Sequence, residues 1–404
     1  MSGEERNLNM KNSIFVAILS AAASAYAGPH FLNAGFVQDP TSHHVTISYT
    51  LDEPAVVSLD VLTNGVSIGR AAVEAMDDGT FHRKVAAGPH TLTWVPHKTW
   101  VQDVFTNSSV RVQVTAWPTN APPDWMVVDL LHPGVVRWYA TPEESPWGDF
   151  TNNVACKTDY LVLKRVAAGG RRFRMGNIAA ATTNPTRNTP HIVHFSQDFY
   201  MAVFMLTKYQ YDRLNEETPA AVTPTDALLR PAYGFTYDAI RGGDWPISDA
   251  VGDESFLKKM RDRYGIDFDL PTDAQWEYTC RAGTDSFYYN GCEKSNLSAE
   301  AQDALGWFGV NTGSSTPQPV GLKQPNPWGF FDFYGNKFEW CRDWYTADLG
   351  RAEVTDPKGP NSTGERLARG GSNQHGVLQA PDYRCNGASG GIVGIRLWAP
   401  AGIR

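Results

Sequence analysis

The eleven residues from Gly335 to Tyr345, G-N-K-F-E-W-C-R-D-W-Y, constrain this chain more than any other stretch. The run is dense in tryptophan, closed by charges, and preceded by the turn-rich Pro325-Asn326-Pro327-Trp328-Gly329. Its counterpart lies downstream, from Arg369-Gly370-Gly371-Ser372 to Arg396-Leu397-Trp398. Thirteen Trp and 36 Gly in 404 residues favour an irregular, loop-rich architecture with large aromatic anchors over a helical bundle.

The length predicts two or three domains, each able to bury a core. Hydrophobic residues make up 42% and charged residues 19%, as expected of a folded, water-soluble chain. The net charge of −8 and the lack of a basic cluster argue against nucleic acid as a partner. Residues 1–27 read as a secretory signal peptide. Lys11 starts it, Ile14 to Ala22 form the apolar run, and Ala25-Tyr26-Ala27 provide small residues at the cleavage spacing. A buried N-terminal helix is the competing reading, and residues 1–9 precede a plausible start at Met10. No later stretch reaches the roughly 18 apolar residues of a membrane helix. The expected location is secreted, periplasmic or cell-surface, where disulfides persist.

Residues 28–127 alternate with a period of two, as in Val45-Thr46-Ile47-Ser48-Tyr49 and Val110-Arg111-Val112-Gln113-Val114. Asn64-Gly65 is a tight-turn pair. The pattern predicts an all-β sandwich, similar to immunoglobulin-like modules. The prolines of 128–155 predict a linker, and residues 156–404 a second domain. There, helices are expected at Lys208–Asn215 behind a Thr207 cap, at 255–264, and after Leu270-Pro271-Thr272. A strand is expected at 190–195, which would turn His191 and His194 to opposite faces and away from a shared metal. Beyond Gly283 the chain reads as almost all loop.

Eight motifs recur in one order. They are R-F-x-M-G at 172–176, D-F-Y at 198–200, L-P-T-D-A-Q-W-E-Y-x-C-R-A-G at 270–283, P-V-G at 319–321, P-N-x-W-G at 325–329, G-N-x-x-E-W-x-x-D-W-Y at 335–345, R-G-G-S at 369–372 and G-I-R at 394–396. Together they resemble the formylglycine-generating enzyme (sulfatase-modifying factor) family over about residues 155–399. The resemblance implies an α+β domain of C-type lectin-like architecture following the sandwich. It also implies a choice of functions, because the founding enzymes oxidise a sulfatase cysteine with copper and oxygen while other members display ligands without known chemistry.

The founding enzymes hold copper through two cysteines, three residues after the Ser of G-G-S and five beyond that. Counted from Ser372, these positions are His375 and Ala380, and Tyr383-Arg384 then falls in register. Copper(I) in this chemistry needs soft thiolates, so copper is not expected. The resemblance implies a Cys280–Cys385 disulfide, leaving Cys156, Cys292 and Cys341 as an odd set. It also implies calcium on the loops at Asn296 or from Asn336 to Glu339, against the alternative that Glu339 pairs with Arg342 or Arg384. The expected ligand pocket is bounded by Trp340, Trp344, Ser372, His375, Tyr383 and Arg384. The expected role is therefore a binding or display module for an extracellular carbohydrate or peptide. A metal-dependent oxidase rebuilt around His375 and a self-assembling surface subunit are the alternatives.

Overall fold

The structure is a computed structural model that describes residues 17–21, 29–68, 82–96, 110–176, 189–215, 225–293, 295–313, 316–362, 364–374, 384–386 and 390–402. The chain divides into two compact units, Met1–Pro123 with Trp138–Asp149, and Asp124–Arg137 with Phe150–Arg404.

In the first unit the alternating residues build two sheets. Strands β2 (Phe31–Gln38), β3 (Val45–Leu51) and β5 (Gly88–Trp94) form one, with β3 between the others. In the other, β6 (Val110–Pro118) lies between β4 (Ala55–Thr63) and β1 (Ala17–Ala21). Val45, Ile47, Leu92 and Trp94 of the first sheet share one apolar core with Leu59, Val61, Val112 and Val114 of the second. Inward and outward side chains alternate along these strands as a pleat requires. Strand β1 lies inside the stretch expected as a signal peptide and pairs in parallel with Val112–Ala116 of β6. The rest of that stretch lies outside the described residues.

The second unit starts earlier than the sequence pattern suggests. Residues 128–155, expected as a linker, begin inside β7 (Trp125–Asp129), which pairs antiparallel with β8 (Tyr160–Val166). Beyond β8 come β9 (Arg172–Met175), β10 (His191–His194) and β11 (Phe199–Ala202). Strand β8 also pairs with β11, and β11 with the C-terminal β17 (Trp398–Pro400). The three expected helices are present as α1 (Lys208–Leu214), α2 (Phe256–Tyr264) and α3 (Asp273–Arg281). Thr207, Ser255 and Thr272 cap them, each accepting a backbone N–H three residues on. The tryptophan-rich stretch is a strand, β12 (Phe338–Trp344), where loop was expected. It sits in a sheet between β14 (Arg366–Arg369) and β16 (Val393–Gly394), with β15 (Arg384–Asn386) beyond β14. Six consecutive residues of β12 are buried, so both faces are covered and no alternation marks the strand in the sequence. A further short strand, β13 (Val354–Thr355), pairs with β10.

Trp276 of α3 packs edge-on against Phe333, at 5.1 Å between ring centres, in a core that also holds Tyr288, Tyr334 and Leu367. No helix among the described residues is long and apolar enough to cross a membrane.

Candidate functional site

Several buried charges of the second unit are paired, as burial favours. Glu339 of β12 is gripped by Arg396, whose Nε lies 3.0 and 2.9 Å from the two carboxylate oxygens and whose Nη2 lies 2.6 Å from Oε1. Trp276 Nε1 donates to the same carboxylate at 2.6 Å. A second chain of charges runs through α3. Arg281 donates to Glu277, Glu277 and Asp273 both accept from the fully buried Arg369, and Asp273 also accepts from Arg384 Nε at 2.7 Å. Burial alone would raise the Asp273 carboxyl, but Arg369 and Arg384 outweigh it and hold the group below the ordinary range.

Asp343 lies beside this chain without an arginine hydrogen bond among the described residues. Its Oδ2 accepts the backbone N–H of Asp273 at 2.9 Å. Burial, then the negative charge of Asp273, push its carboxyl up to about 7. Neighbouring residues of a strand face opposite ways, and Asp343 and Trp344 line two different clefts.

The cleft at Trp344 has a volume of about 490 Å³ and an aromatic wall. Arg366 lies over the Trp344 ring at 3.6 Å and over Tyr237 at 4.2 Å from the ring centres. Its Nη1 donates to the carbonyls of Trp245 and Arg342, and Trp344 Nε1 also donates to the Trp245 carbonyl. Asn361 and Ser362 add amide and hydroxyl groups, while Asp238 and Asp244 add exposed carboxylates. The second cleft, of about 550 Å³, is lined by Asp273, Asp343, Arg384 and His191 together with residues Val354 to Pro360.

The expected pocket is thus divided. Trp344 lines the aromatic cleft and Arg384 the other. Trp340 is buried with Nε1 donating to the Phe235 carbonyl, and Ser372 is buried with Oγ accepting from Gln374 N–H. Neither lines a described cleft, and His375 and Tyr383 lie outside the described residues. Sequence reasoning missed Trp245 and Arg366, which follow no motif of their own. Asp343 carries no signal of its own within the motif, of which only Trp340 and Trp344 are expected at the pocket.

The expected disulfide is not formed. Cys280 and Cys385 are free thiols, as are Cys292 and Cys341. Cys280 is enclosed in the aromatic core and burial pushes its thiol up to about 12, while Cys385 stands on β15 opposite Ala368. The residues expected to hold calcium are engaged separately. The exposed Asn296 accepts the Glu293 N–H, Asn336 exchanges two hydrogen bonds with the Gln318 backbone, and Glu339 pairs with Arg396 rather than with Arg342 or Arg384. A further buried carboxyl lies four residues before Asn336. Asp332 is buried, Oδ2 accepts the Gly321 N–H at 2.7 Å, and Oδ1 has no hydrogen-bond partner among the described residues. Burial pushes this carboxyl up to about 6 against the pull of Gly321 N–H, Arg396 and Lys157.

The positions counted from Ser372, His375 and Ala380, lie outside the described residues. No group of three or more His, Cys, Asp or Glu side chains among the described residues is arranged to hold a metal ion.

Comparison with known proteins places this geometry in a family. Residues 163–397 match the model of the sulfatase-modifying factor enzyme 1-like domain. The formylglycine-generating enzyme of Mus musculus is 36% identical over 122 residues, 29% of this chain and 33% of that protein. That of Thermomonospora curvata is 33% identical over 119 residues, 26% of this chain and 37% of that protein. The chain thus spans about a third of the length of these relatives. Among solved structures, Treponema denticola variable protein 1 superposes with a TM-score of 0.45 at 23% identity, covering 60% of this chain and 95% of that one. The matched segment takes up more than half of the chain and contains both clefts and the Glu339–Arg396 pair, and the protein belongs to the sulfatase-modifying factor enzyme 1-like family.

Proposed function

We propose that this protein is an exported binding module of its family, and that its ligand is an extracellular carbohydrate or peptide held in the aromatic cleft. The observation that carries the reading is the donor set, one imidazole and no thiolate where the family's founding enzymes need two. The cleft suits recognition for a separate reason. Trp344 and Tyr237 offer rigid aromatic area at low entropic cost, with the Arg366 guanidinium and the Asn361 and Ser362 side chains placed to receive polar groups. Calcium enters this proposal only at Asp332, whose unpartnered oxygen is the kind of hard donor calcium takes.

The test combines metal analysis of the purified protein, oxygen consumption on cysteine-containing peptides, and a glycan and peptide array. Binding that Trp344→Ala abolishes, with no transition metal and no oxygen uptake, is the expected result. Stoichiometric copper or iron with oxygen uptake would overturn the proposal.

A further inference from the structure

The second cleft carries chemistry that the proposed function leaves unused. His191 on β10 is buried, and its Nδ1 lies 3.0 Å from the Thr189 carbonyl. A carbonyl oxygen can only accept, so Nδ1 carries the proton and Nε2 presents its lone pair in the neutral ring. Nε2 has no hydrogen-bond partner among the described residues, and His191 lines the cleft. Asp343 is only 3% exposed and lines the same cleft; its Oδ2 is taken by Asp273 N–H, and Oδ1 has no hydrogen-bond partner among the described residues. Gly359 crosses over it at φ +72°, where an added Cβ would come within 2.9 Å of Oδ1. Only a residue without a side chain lets the backbone pass so close to this carboxyl.

The charges around the cleft are unequal. Arg384 is committed to Asp273 and to the Thr346 carbonyl, and Lys358 leans over the Trp245 ring toward Asp249. Asp348 and Asp356 stand at the rim; Asp348 Oδ1 accepts from Gly350 N–H and the Thr189 hydroxyl, Asp356 Oδ1 from Ser196 N–H, and the other oxygen of each is open among the described residues. The wall is therefore rich in acceptors and short of mobile cations. The acceptors are not arranged as metal ligands. An ammonium group reaches acceptors at about 2.7–3.2 Å, carries three donors and needs no such convergence.

We propose that this cleft is a second ligand site, which takes a protonated primary amine through His191 Nε2 and Asp343 Oδ1, with Asp348 and Asp356 supplying negative charge at the rim. The amine is that of a free polyamine or of a lysine side chain. The site is independent of the aromatic cleft and of any redox chemistry.

The test uses the full chain and isothermal titration with 1,5-diaminopentane, with the uncharged 1,5-pentanediol as control. Arg342, Arg384 and Asp273 surround Asp343, and its carboxyl, raised to about 7, is roughly nine-tenths protonated at pH 6. If the amine binds the ionised form, affinity falls about tenfold from pH 8 to pH 6. At pH 8, Asp343→Asn should weaken binding about tenfold, since the ionised carboxylate is lost. His191→Leu, which keeps the burial and removes the lone pair, should weaken binding at both pH values. Tighter binding of Nα-acetyl-lysine methylamide than of the diamine would assign the site to a peptide side chain, and the reverse to a polyamine. Diol binding equal to diamine binding, no saturation by either amine, or an unchanged pH 8 affinity in Asp343→Asn would each overturn the proposal.

Discussion

Glu339→Gln isolates the contribution of the charge at the centre of the tryptophan-rich strand. The substitution keeps the side-chain shape and one acceptor for Trp276 Nε1. It removes the negative charge facing Arg396, whose side chain is 0% exposed, and turns an amide group toward the guanidinium. The remaining donors of Arg396 already reach the carbonyls of Ala202, Val203 and Phe331, so the guanidinium keeps hydrogen bonds and loses only its counter-ion. Breaking a buried pair from one side costs about 3–5 kcal/mol, because an uncompensated charge stays buried. At a urea m-value of about 2–3 kcal/mol per molar, the unfolding midpoint should fall by about 1–2.5 M. The assay is urea unfolding followed by tryptophan fluorescence, with and without calcium. The double variant Glu339→Gln/Arg396→Met should lose less than the sum of the single variants, since it removes the stranded charge as well. A loss below about 1 kcal/mol would refute the argument, since burial would then not be enforcing the pair. So would a loss that appears only with calcium present, because Glu339 would then be a metal ligand.

Thr272→Ala removes the hydroxyl that accepts Gln275 N–H at the start of α3 and should cost about 1 kcal/mol in the same assay, with Thr272→Ser near neutral. Asp343→Asn should change the pH dependence of stability. The folded carboxyl is raised to about 7 from an ordinary 3.8, so its contribution is fully present below 3.8 and lost as pH rises through 7. Relative to wild type, the Asn variant should therefore gain stability between pH 4 and pH 8 and then level off; a flat difference would count against the raised carboxyl. Asp273 acts in the opposite sense, losing its contribution as pH falls below 3.8, and both proteins share it. Gly335→Ala should abolish soluble expression, because Gly335 has φ +75° and its Cβ would lie 2.1 Å from the Trp307 carbonyl oxygen.

What the sequence reveals about this protein depends on the range over which each residue is determined. The helix starts at Thr207, Ser255 and Thr272 are legible because a cap and its N–H lie three residues apart. The strand at 338–344 is not, because partners from both faces cover it and erase the period of two. Strand β7 was hidden by the prolines around it, although its own residues, Trp125-Met126-Val127-Val128, are ordinary strand formers. The pocket shows the same limit at finer scale. Trp340 and Trp344 share parity and should share a face, yet the pairing of β12 with β14 shifts register between them. One indole is sent into the core and the other into a cleft, and nothing within the motif records the shift. Glu339 is the clearest case. Its charge had to be neutralised, and the candidates legible in the sequence were calcium, Arg342 or Arg384. The fold supplies Arg396 instead, 57 residues away, and with it a local reason for the pairing of E-W at 339–340 with G-I-R at 394–396: the strands meet where Glu339 lies beside Gly394, two residues before that arginine. Two motifs that looked like separate signatures are the two halves of one buried ion pair, which explains their joint presence through packing and leaves the chemistry of this chain to the side chains that face the clefts.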